Sequence, residues 1–151
     1  MLASLVVWIG GIVFFAFVVA PTVFAVLPTH HLAGSVVVRS LAALHWMGLI
    51  SGIVFALTSM VYSRLSAGSA QPLAASHLLI YAMIVLTLVS QFGISGKMIA
   101  LRNSMPEIDN VPLNDPRRVE FNQLHQWSTG LEGGILLLGL ALLSRTAQRF
   151  R

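Results

Sequence analysis

Four uncharged or nearly uncharged runs, roughly 3–27, 36–62, 73–96 and 119–144, are each long enough to cross about 30 Å of hydrocarbon. Nothing else in this 151-residue chain narrows its fold as far. A segment inside a bilayer has no water to satisfy its backbone, so it must be a helix or part of a closed barrel. Barrel strands are shorter and alternate polar with apolar residues, and these runs do neither. The expectation is an all-α integral membrane four-helix bundle, one domain over 1–151, with a lipid bilayer as its surroundings. Composition agrees, since 9% charged residues cannot clothe a soluble domain that is 56% hydrophobic.

Several classes fall away at once. The first run starts Met1-Leu2-Ala3-Ser4 without a basic n-region and continues beyond the length of a signal sequence core, so it reads as a span. The absence of cysteine excludes disulfides, thiolate metal sites, iron–sulfur clusters and covalently attached c-type haem. The net charge of +4 comes from Lys and Arg scattered at helix ends, which fits membrane flanks and not nucleic acid. There is no nucleophile elbow, zinc-type histidine spacing or phosphate loop, so a hydrolase or transferase has no residues to carry it.

The connections are short except one. Pro28-Thr29-His30-His31 closes the first span, residues 64–72 join the second and third, and the polar connection 98–118 joins the third and fourth. Asp115-Pro116 has the pattern of an N-cap followed by proline at the first helical position. Charge does not fix orientation. Arg64, Arg145, Arg149 and Arg151 lie on one side, against Arg39, Lys97, Arg102, Arg117 and Arg118 on the other. The long connection favours placing both termini in the cytoplasm of a bacterial inner membrane.

Polar residues inside the spans are the functional candidates, because each ionisable group at the bilayer centre costs on the order of 3 kcal/mol. His125, Ser128 and Glu132 share one helical face by their spacing. At 1.5 Å per residue, Glu132 falls near the middle of the fourth span, His45 about four residues from the middle of the second toward the first connection and within reach of Glu132, and His125 and Gln91 roughly one or two turns nearer that same surface. His45 also precedes Gly48, Gly52 and Ala56 on a small-residue stripe, which turns it toward another helix. Gly130 and Gly134, and Gly93 with Gly96, have the same look. Each feature also has a plain structural reading. Glu132 would be a neutral acid tying two helices, the histidines interhelical hydrogen-bonding groups, Arg39, Lys97 and Arg145 snorkelling cations, and Trp8, Trp46 and Trp127 belt or packing residues.

Trp8-Ile-Gly-Gly11, Phe14, Pro21, Leu27-Pro28 and Gly34, with Phe121-x-x-Leu124-His125-x-x-Ser128 near the end, resemble the transmembrane-protein-205-like family. The resemblance implies a small four-helix membrane protein and matches Phe121, Leu124, His125 and Ser128 as its signature. Thr29 stands where many members carry a basic residue. The plan is also similar to copper-resistance D-type proteins and membrane-bound protoporphyrinogen oxidases, which implies a test for b-type haem.

Three functions follow from these residues. In the first, His45 and His125 bind a b-type haem or a transition metal, with Glu132 or Gln91 orienting them. In the second, Glu132 changes protonation during proton or small-solute transport, with the histidines as relay. In the third, the chain is a non-catalytic subunit or scaffold that packs on a membrane protein partner or on itself as a homo-oligomer.

Overall fold

The computed structural model describes residues 1–68, 74–105 and 107–148. The segment 69–73 of the second connection, Pro106 in the third, and Arg149 and Arg151 of the charge count lie outside the described residues. Four helices cross from end to end: α1 (Leu2–Val26), α2 (His30–Ala67), α3 (Ala75–Asn103) and α4 (Pro116–Gln148). A single 3-10 turn, Ile108–Asn110, interrupts the long connection, and no strand occurs among the described residues. All four helices are long and apolar enough to cross a membrane. The chain is thus a multi-pass integral membrane protein in a lipid bilayer. Its outer surface fits that solvent: Phe17, Trp127 and Leu137 are each about 70% exposed, as lipid-facing side chains should be.

Local chemistry sets the helix ends. The Thr29 hydroxyl accepts the Leu32 N–H at 3.2 Å and starts α2, while Gly68 ends it at φ +70°, a conformation that glycine adopts without strain. Asp115 accepts the Arg117 N–H at 2.9 Å, and Pro116 opens α4, where its missing donor is not needed.

The bundle has two unlike halves. The terminal half, which contains the start of α1 and the end of α4, is filled by Leu5, Trp8, Ile9, Phe55, Ile80, Met83 and Leu142, all under 10% exposed. The α2 stripe explains the close fit there. A Cβ on Gly48 would fall on the Trp8 indole, and one on Gly52 would lie 2.8 Å from Trp8 and 2.9 Å from Ile84. In α4 the close-packed glycine is Gly139, against Ile9 and Met83. The expected roles of Gly130, Gly134 and Gly96 are not realised, because a Cβ at any of them would meet nothing within 4 Å. Their spacing is right, but their phase turns them away from the neighbouring helices.

The other half is looser and bears two irregularities. In α1 the backbone widens to a π turn over Phe15–Val19, just ahead of Pro21, which has no N–H to return to Phe17. In α3 a second π turn, Val89–Ser95, contains Gln91, and the Ser95 hydroxyl donates to the Ser90 carbonyl at 3.0 Å across it. Such turns shift the phase of everything that follows in a helix.

Candidate functional site

At mid-bundle three helices each send one polar side chain to a common point. His45 of α2 is 2% exposed, with its Nδ1 2.7 Å from Gln91 Oε1 on α3 and its Nε2 2.6 Å from Glu132 Oε1 on α4. The π turn of α3 presents Gln91 to this point, and the Gly48 stripe presses α2 inward just beyond it. Glu132 retains 16% exposure, because it is the one member that reaches a cavity.

The hydrogen bonds constrain the protons. A carbonyl oxygen only accepts, so with Gln91 Oε1 facing it, Nδ1 must be the N–H that donates. Between Nε2 and Glu132 one proton remains, and it has two positions. Either imidazolium Nε2–H donates to the carboxylate, or the carboxylic acid O–H donates to a neutral imidazole. Both arrangements satisfy the two ring nitrogens of His45, both have zero net charge, and they differ by the position of one proton across 2.6 Å. That is the property required of a buried proton-exchanging pair.

The cavity above the pair has a volume of about 420 Å³, within the range of small-molecule sites. It runs between α1, the start of α2, the end of α3 and the start of α4, toward the end of the bundle that carries the first and third connections. Its walls are chiefly apolar, from Phe15, Phe24, Val38, Leu41, Met98 and Phe121. The polar residues of the lining are His30, Ser95, Arg102, His125, Ser128, Thr129 and Glu132. At the rim, His30 Nδ1 lies 3.0 Å from Asp109 Oδ2, which ties the 3-10 turn to the start of α2.

The sequence candidates therefore divide. His45, Gln91 and Glu132 are brought together. Ser128 is buried in the cavity wall, and Phe121, His125 and Ser128 of the signature line it with Glu132, whereas Leu124 is absent from that lining. His125 does not join His45. It is exposed and lies seven residues, about 10 Å along the axis, from Glu132, to which His45 is bonded. Both nitrogens of His45 are already engaged, so bis-histidine ligation of haem or a metal by His45 and His125 does not fit this arrangement. Among the described residues no group of three or more His, Asp or Glu side chains is placed to hold a metal ion.

Two residues have a character that sequence reading missed. Arg102, counted there as a flanking charge, is 7% exposed and lines the cavity. Gly34 lies beneath it, where a Cβ would stand 2.8 Å from Arg102 Nη1.

No curated protein and no solved structure matches this chain. One family model does match, over residues 3–107. That stretch includes His45, Gln91, Gly34 and Arg102 and ends before Glu132 and the Phe121–Ser128 signature. The chain belongs to the family described as Domain of unknown function (DUF4149).

Proposed function

We propose that this protein is a proton-coupled membrane carrier, in which Glu132 and His45 exchange the proton and the adjoining cavity receives the solute. The observation that carries the reading is the 2.6 Å contact between Glu132 and His45 at the floor of that cavity. An acid and an imidazole deep in a bilayer domain are costly to maintain, and proton relays and substrate pathways are among the established uses of such groups. His125, His30 and Asp109, nearer the mouth, supply titratable groups between the pair and the aqueous face.

Leu2 and Gln148, the outer ends of α1 and α4, lie at the end of the bundle opposite the cavity mouth. With both termini in the cytoplasm of a bacterial inner membrane, the cavity opens to the outer side. We place the chain among transmembrane-protein-205-like proteins on its Phe121–Ser128 signature. Haem and metal binding by His45 and His125 is set aside on the engaged nitrogens and the axial offset described above.

Proteoliposomes loaded with a pH-sensitive dye test the reading. Under an imposed membrane potential, Glu132→Gln should lower proton flux by about tenfold or more, the scale on which losing one proton-transferring group is felt. Wild-type and variant fluxes that coincide would overturn it.

A further inference from the structure

Among the described residues Arg102 is a cation without a counter-ion. Its side chain is more than nine-tenths buried, yet its guanidinium makes no hydrogen bond or ion pair among the described residues. The chain has five Asp and Glu side chains, all within the described residues, and none of these carboxylates pairs with it. Asp109 is taken by His30, Asp115 by Arg117 and Glu132 by His45. Glu107, only five residues along, has its Oε1 buried without a hydrogen-bond partner and still does not reach Arg102.

Buried arginine normally holds a carboxylate or phosphate, because its five donors are fixed in a fork and cannot be neutralised. Here the fork borders a cavity, and it is seated there by Gly34, whose missing side chain leaves the space that Nη1 occupies. From Arg102 to the level of Gln91 is eleven residues of α3, about 16 Å of depth. Most of the wall surface along that depth is apolar. A small inorganic anion would satisfy the charge and leave the wall bare, and a neutral hydrocarbon would do the reverse.

We propose that the cavity binds an amphipathic anion, its head paired with the Arg102 guanidinium and its apolar tail laid along Phe15, Phe24, Val38 and Phe121 toward Glu132. This deepens the carrier reading by naming the class of solute, and rests on it only for the idea that the solute is moved. Free fatty acids and anionic phospholipids share this chemistry.

Equilibrium binding to the full chain in neutral detergent, at a pH where the acid is ionised, separates the outcomes. The probes are decanoate against decanol, decyltrimethylammonium and acetate, and in lipid nanodiscs phosphatidylglycerol against phosphatidylcholine, read by native mass spectrometry and thermal shift. Decanoate or phosphatidylglycerol should bind about tenfold or more tighter than its neutral or zwitterionic counterpart, and whichever does so identifies the source. Arg102→Gln should abolish that preference while leaving decanol binding in place, and Arg102→Lys should restore part of it. Should Arg102→Gln fail to fold, Gly34→Ala is the second variant. It keeps the charge but displaces Nη1, and the same loss of preference is expected. Equal binding of decanoate and decanol by wild type, tighter binding of the cation, or acetate binding as tightly as decanoate would each overturn the proposal. No gradient is present, so binding that persists in Glu132→Gln beside unchanged proton flux would remove the carrier reading and leave this one standing.

Discussion

One shared proton makes Glu132→Gln and Glu132→Leu different experiments. A glutamine amide can donate to His45 Nε2 while Nδ1–H continues to donate to Gln91, so Glu132→Gln should cost less than about 1 kcal/mol, typical of an interhelical hydrogen bond. Leucine leaves Nε2 buried without a partner, and about 1–3 kcal/mol should be lost. Thermal unfolding in detergent measures both, and equal losses would show that glutamine cannot satisfy the site. The group was legible in sequence because depth can be counted: residues from each span end, multiplied by the helical rise, put Glu132 near mid-span and His45 about one turn away, within its reach. Arg102 was not legible by that means. At the end of a span it has the same local pattern as Arg39, Lys97 and Arg145, all exposed, and only the fold of the connection over it separates a buried guanidinium from a snorkelling one. His125 misled for the opposite reason, since a shared helical face gives direction but leaves a separation of two turns along the axis.

At the scale of the helix, glycines with the same spacing should respond with opposite sign. Gly48→Ala drives a Cβ into the Trp8 indole and should destabilise by about 1–3 kcal/mol, as overpacking does. Gly130→Ala meets open space and removes the helix penalty of glycine, so a gain of about 0.5–1 kcal/mol is expected. Unfolding midpoints of the two variants decide it. Spacing announced both stripes, but whether each meets a neighbour depends on how its helix is turned in the bundle, which spacing alone does not give. The start of α4 has its own signature. Arg117 beside it holds the Asp115 carboxyl at about 2 instead of 3.8, so the ionised cap is favoured in the folded chain. Its contribution is therefore complete above about pH 4 and is lost as pH falls through about 2. A carboxyl carbon NMR titration of Asp115 should show that midpoint, and Arg117→Gln should return it toward 3.8.

Across the whole molecule, the packed half and the hollow half imply access from one side. Bulky apolar residues seal the terminal half, where Ser59 and Thr146 are 1% and 2% exposed, while the cavity leads Thr129 and Glu132 toward the connection that carries Arg118. A chain without cysteine allows this to be read directly by single substitutions. Thr129→Cys should react with a small membrane-impermeant thiol reagent added on the Arg118 side and remain protected from the other. Ser59→Cys and Thr146→Cys should stay unreactive from both. Comparing intact cells with inverted vesicles also reports which side of the membrane the mouth faces. Reaction of Ser59→Cys at a rate like that of Thr129→Cys would mean a water path through the resting bundle, which the Trp8, Phe55 and Met83 packing excludes. One-sided access has a mechanistic consequence. If Glu132 exchanges its proton with only one face at rest, the proposed transport requires the terminal half to part, and that half is held by the packing of Gly48 and Gly52 on Trp8 together with Phe55 and Met83.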